Sequence, residues 1–156
     1  MDPKTKNSAE YLKTKVLTAS PEQLQLMLYD GAIRFCEQAR AAIENKQIET
    51  SFNLLNKAER IVMELCTSMR EDFAPELCFN MRRLYLFCYD RLVTANVNKD
   101  LKAVDESLDI LRHLRQTWLL LMEKIHQEKS AASPSAAPAP DDLLSQQLGA
   151  TLSLQG

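Results

Sequence analysis

The sequence predicts an all-α protein: an antiparallel up-down four-helix bundle with an N-terminal arm and a flexible C-terminal tail. Three observations predict it. Only three of the 156 residues are glycine, which leaves little material for tight hairpins or phosphate-cradling loops. Apolar residues recur at three- and four-residue intervals through four segments of about twenty residues. Short polar stretches separate those segments, and amphipathic helices joined by short links pack most simply as an up-down bundle. The chain divides into an arm over 1–20, the bundle over 21–128, and an Ala/Pro/Ser-rich linker with a short tail over 129–156.

The arm opens Met-Asp-Pro-Lys-Thr-Lys, without the apolar core of a signal peptide. Tyr11 stands in this polar stretch, where a bulky ring has no local role; docking of the arm into an apolar pocket would give it one. Val16-Leu17-Thr18 is largely β-branched and apolar, and reads as a loose strand-like segment able to detach and leave a groove behind. Ser20 then serves as N-cap, Pro21 fits the first helical position, and Gln23 completes a capping box.

The first predicted helix covers 21–43, with Leu24, Met27, Leu28, Gly31, Phe35 and Ala39 on one face. Gly31 costs about 1 kcal/mol relative to alanine in a helix, and close approach of a neighbouring helix explains its presence. A polar turn over 45–47 precedes a second helix at 49–69, striped by Phe52, Leu55, Ala58, Val62, Leu65 and Met69. Residues 71–75 break the pattern, and Pro75 or Glu76 starts a third helix carrying Leu77, Met81, Leu84, Cys88, Leu92 and Ala95. A turn over 96–100 ends in Asp100 as N-cap. The fourth helix then carries Leu101, Val104, Leu108, Leu111, Leu114, Trp118, Met122 and Ile125, with Trp118 read as core.

These stripes are wider than one seam requires. Leu84, Tyr85, Leu86, Phe87 and Tyr89 nearly encircle the third helix, and Leu119, Leu120 and Leu121 do the same on the fourth. A second apolar face must be covered by something, whether the chain's own arm and tail, a second copy, or a partner helix. After residue 130 the composition turns to Ser, Ala and Pro, a mobile linker by its chemistry. Beyond it, Asp141-Asp142 can cap a short helix through Leu143, Leu144 and Leu148. That tail reads either as disordered or as a segment that folds back onto the partner groove and competes with a client.

Several function classes fall away. The net charge of -2 gives no polyanion footprint, so nucleic acid is not expected as a partner. No apolar run approaches membrane length, so no membrane insertion is expected and the chain reads as soluble and cytoplasmic. Cys36, Cys66, Cys78 and Cys88 form no C-x-x-C pair and read as small apolar residues in a reducing compartment. His113 and His126 are the only histidines. Glu123 and His126 match the E-x-x-H of di-iron bundles, but the second copy that such a site needs is absent. The expectation is a non-enzyme with no catalytic residue, metal or cofactor.

Asn7 with Tyr11, the run Val16-Leu17-Thr18-Ala19-Ser20-Pro21 and then Met27-Leu28-Tyr29-Asp30-Gly31 carry a resemblance. Leu54 to Ala58, Glu64-Leu65, Asn80 with Leu84-Tyr85, Ala95-Asn96, and Leu111 to Arg115 with Trp118 continue it in order. Over roughly residues 7 to 125 the chain resembles the flagellin-specific export chaperones, the FliS family. The resemblance implies a four-helix bundle and a cytoplasmic chaperone that binds the apolar C-terminal segment of flagellin. Such a chaperone prevents premature polymerisation and presents its client to the flagellar type III export gate. It implies no cofactor and leaves self-association open. The tail after residue 128 is an addition that the resemblance does not explain, although its Leu-Ser-Leu ending is similar to that of flagellins.

The partner-binding residues expected on these grounds are Tyr11, Val16 and Leu17 as a displaceable arm, with Leu28, Tyr29, Leu84, Tyr85, Phe87 and Tyr89 along a groove. Tyr11, Val16, Leu28, Tyr29 and Tyr85 sit inside matched motifs, whereas Phe87 and Tyr89 rest on surplus apolarity alone. A charge at position 85 is expected to weaken client binding while the fold survives. The alternative to this reading is a helical-bundle adaptor or regulator with an unrelated helical client.

Overall fold

Ser20 starts the helix that organises the molecule. Its side-chain oxygen accepts from the Gln23 amide at 3.2 Å, and the Gln23 side chain accepts from the Ser20 amide at 3.0 Å. This capping box, with Pro21 behind it, fixes the start of the first long helix where the sequence places it. The computed structural model describes residues 3–72 and 74–132. Five helices run through them: α1 (Pro3–Thr18), α2 (Pro21–Glu44), α3 (Ile48–Thr67), α4 (Pro75–Asn98) and α5 (Leu101–Ala132). No strand occurs among the described residues.

The arm is therefore helical, and the strand-like reading of Val16 to Thr18 is corrected. Lys, Ala, Glu and Leu from Lys4 to Lys15 are good helix formers, and they outweigh the few β-branched residues at its end. Thr14 and Thr18 turn their hydroxyls back to the carbonyls of Glu10 and Thr14, which suits them to a helix. Every described side chain from Lys4 to Thr18 is exposed.

The first three residues of the predicted 96–100 turn belong instead to a helix, because α4 runs on through Asn98. Lys99 closes it in the left-handed region at φ 52°, its amide bonded to the Ala95 carbonyl. Asp100 then caps α5, its side chain accepting from the Lys102 amide at 2.9 Å. α5 continues through Ala132, past the expected linker start at residue 129. Residues 133–156, with the proposed short helix and its fold-back, lie outside the described residues.

Among the described residues, those up to Leu119 make one compact unit and those from Leu120 on a second. Within the first, four helices share one core. Tyr29, Cys36 and Ala39 of α2 meet Leu55, Val62 and Leu65 of α3, Tyr85, Cys88 and Leu92 of α4, and Leu108 and Leu111 of α5. Asp30 pairs with Arg115, Glu37 with Arg112 and Arg40 with Asp105. Because one series rises as the other falls, α2 and α5 run antiparallel. Gly31 lets α2 approach α3 closely: a Cβ there would stand 3.2 Å from Ile61 Cδ1. Trp118 is half-buried against the core, and its indole N–H donates to the Glu22 carbonyl at 3.2 Å.

Candidate functional site: an apolar groove between two helices

α3 and α4 present matching stripes along their shared outer edge. On α3 the stripe is Phe52, Asn56, Glu59 and Met63; on α4 it is Leu86, Tyr89, Val93 and Val97. Each follows three- and four-residue spacing, so each holds one edge of its helix. The helices run antiparallel here. Asn56 meets Asn96 at 3.2 Å, Met63 and Tyr89 line one cavity, and Lys99 stands over the Phe52 ring at 5.8 Å. Phe52, Leu86 and Val97 are exposed, whereas Met63, Tyr89 and Val93 are half-buried.

A polar knot lies midway. The Asn96 amide donates to Asn56 and, at 3.5 Å, to the Glu59 carboxylate, while its carbonyl oxygen accepts from Lys99 at 3.1 Å. Burial raises the proton affinity of the Glu59 carboxyl above its ordinary value, partly offset by that amide. Burial likewise draws the Lys99 ammonium below its usual range.

The structure separates the residues expected to line a groove. Tyr29 and Tyr85 are each 1% exposed and belong to the core, which corrects their placement on a partner surface. Their ring bodies fill space between helices, and their hydroxyls bond to each other at 2.6 Å, so neither polar tip needs a partner. A charge at position 85 would be buried beside Tyr29, so the fold is no longer expected to survive it. Leu28 and Leu84 are half-buried and pack against the core. Phe87 is 50% exposed but lies about 200° around α4 from Tyr89, with Arg91 over its ring at 5.6 Å. Tyr89 is thus the one expected residue on the α3–α4 groove. On α1, Tyr11 and Leu17 are more than 70% exposed and Val16 is 42% exposed.

Phe52 begins the apolar stripe expected on the second helix, yet it is 50% exposed. The Phe52-Asn56-Glu59-Met63 spacing was the signal available, hidden because its middle positions are polar. Leu77, on the stripe expected for the third helix, is exposed near the start of α4. Among the described residues no three His, Cys, Asp or Glu side chains are grouped as metal ligands would be. No helix among them is long and apolar enough to cross a membrane.

The family model for the flagellar protein FliS matches residues 4–125, from α1 into α5. The chain belongs to the FliS family. Its relatives are named flagellar secretion chaperones. The one from Bacillus subtilis (strain 168) is 35% identical over 108 residues, 69% of this chain and 80% of that protein. The one from Salmonella typhimurium (strain LT2) is 28% identical over 120 residues, covering 76% of this chain and 89% of that protein. A crystal structure described as a flagellar chaperone from bacteria has a TM-score of 0.63 at 20% identity. It covers 78% of this chain and 99% of the other, and that likeness speaks to the fold.

Proposed function

We propose that this chain is a cytoplasmic export chaperone that sequesters the C-terminal segment of flagellin in apolar grooves on its bundle. It thereby blocks premature polymerisation and delivers the client to the flagellar type III export gate. Membership of the FliS family supports this reading. The single observation that carries it to a surface is the facing pair of stripes on α3 and α4, apolar at both ends and open to solvent.

Helix-in-groove recognition fits a segment that is disordered when free. A well-buried apolar anchor contributes roughly 1.5–3 kcal/mol, and ordering the segment costs about 2–5 kcal/mol in total. Micromolar binding needs about -8 kcal/mol, so several anchors must act together. Phe52, Met63, Leu86, Tyr89 and Val97 supply such a set along one groove. Leu28, Leu84 and Phe87 extend the apolar surface elsewhere, and Tyr11, Val16 and Leu17 give α1 exposed apolar side chains that a client can cover.

Titration calorimetry of the full chain with a peptide of the flagellin C-terminal segment tests the proposal. A dissociation constant at or below the micromolar range with a large negative heat-capacity change is expected. Absence of binding to that peptide, alongside capture of an unrelated helical client, would replace the reading with that of a general adaptor.

A further inference from the structure

Glu59 sits where an apolar groove should have no charge. It occupies the middle of the α3 stripe, between the turns bearing Phe52 and Met63, and shares a cavity of about 370 Å³ with Met63 and Tyr89. Among the described residues no cation lies within ion-pair distance of its carboxylate. Arg60 lines the same cavity, but it is exposed and makes no ion pair with Glu59. Lys99 is engaged by the Asn96 carbonyl oxygen and the Phe52 ring. Among the described residues the sole side chain bonded to the carboxylate is the Asn96 amide, at 3.5 Å.

We infer that the α3–α4 groove receives an amphipathic helical segment of the client whose own lysine or arginine pairs with Glu59. The inference rests on the chaperone reading above and adds the chemistry by which the groove selects its segment. An apolar helix laid along Phe52, Leu86 and Val97 would strip the remaining water from Glu59. A half-solvated carboxylate would then become a desolvated one, which is costly unless a cation arrives with the helix. A segment bringing that cation gains a charge-assisted hydrogen bond in a low-dielectric groove. A purely apolar segment leaves the acid unpaired, and one bearing an acid at this position is repelled. Glu59 therefore sets both the register and the identity of the docked segment.

The test is calorimetry of the full chain with two peptides: the flagellin C-terminal segment, and the same segment with its lysines and arginines changed to glutamine. Glu59→Gln removes the charge but keeps an acceptor for Asn96, so the α3–α4 contact survives; circular dichroism and a thermal midpoint check this. Glu59→Gln should weaken the parent peptide about tenfold and bind the glutamine peptide more tightly than wild type does, because the desolvated charge is gone, whereas Arg60→Gln should weaken neither. Wild-type chain should bind the glutamine peptide about tenfold less tightly than the parent. Equal affinity of wild-type and Glu59→Gln chains for the parent peptide, or equal affinity of the wild-type chain for both peptides, overturns this inference and leaves the chaperone reading standing. Failure of the wild-type chain to bind the parent peptide at all overturns both.

Discussion

The hydroxyls of Tyr29 and Tyr85 lie 2.6 Å apart, one donating to the other across the interior between α2 and α4. Gln25 completes the arrangement by donating to the Tyr29 hydroxyl at 3.3 Å. Burial, followed by the neighbouring Tyr29, pushes the Tyr85 phenol far above its usual range. Two aromatic rings with mutually satisfied polar tips fix the lateral register of two helices that share no covalent link nearby. Tyr85→Phe leaves Tyr29 with Gln25 alone and should cost about 1–2 kcal/mol in urea denaturation. Tyr85→Asp places an unpaired charge in the core and should abolish the cooperative transition. A folded Tyr85→Asp chain would show that the core reading of this pair is wrong.

Gly31 separates two substitutions by size. A methyl group there meets the mobile end of Ile61 at 3.2 Å, so Gly31→Ala needs only a small shift and gains helix propensity. Its stability should rise by up to about 1 kcal/mol. Gly31→Val should instead lose about 1–3 kcal/mol, because overpacking forces α2 and α3 apart. Chemical denaturation of both variants reads the sign directly.

All four cysteines are buried. Burial pushes the Cys88 thiol up to about 12 and raises Cys36 further still, and only the thiolate is nucleophilic. At pH 8 the native chain should react with an aromatic disulfide reagent far more slowly than the urea-unfolded chain, which should release four equivalents. Rapid native labelling of Cys36 or Cys88, located by mass spectrometry, would contradict the packing around them.

Glu59 has a predictable pH signature. Burial raises its proton affinity in the folded state, so folding favours the neutral carboxyl and opposes the carboxylate. Its penalty is absent below the ordinary glutamate range, grows as pH rises through that range, and is complete above the raised folded value. Glu59→Gln should therefore be more stable than wild type at pH 7, with the difference vanishing near pH 4. Denaturation curves at the two pH values give the comparison, and an advantage that persists at pH 4 would mean that charge is not its cause.

The two edges of α4 should respond differently to charge. Helical spacing puts Leu86 on the same edge of α4 as Tyr89, whereas Phe87 stacks under Arg91 on another side. Leu86→Asp should weaken the flagellin peptide at least tenfold with an unchanged thermal midpoint, since Leu86 is exposed in the free chain. Phe87→Asp should weaken it less, because its near neighbour is a guanidinium rather than a facing apolar stripe. The reverse order would move the client to the other side of α4.

Helix positions were legible because their signals are local. The Ser20 capping box, Pro21 and Pro75 at helix starts, and Asp100 as a cap all act through neighbours within a turn, and each is found where the sequence places it. α1 was missed because its apolar residues form no strong stripe: helix propensity holds it as a helix, whereas attention to Val16 and Leu17 pointed to a strand. The groove was half legible. Surplus apolarity points to Tyr89, but the exposure of Phe52 and the place of Glu59 are not legible, since neither burial nor the lack of a counter-ion is written in spacing.

The sequence by itself determined that this chain is helical, where its long helices begin, and that α4 carries more apolar surface than one seam can hide. Tertiary structure alone decided which side of each helix turned inward, sending Tyr29 and Tyr85 to the core and leaving Phe52, Leu86 and Val97 in solvent. The reason is physical. Caps and propensities are settled within a few residues, but the choice between two apolar faces depends on which side chains interlock across helices far apart in the chain, such as the pair of hydroxyls at positions 29 and 85.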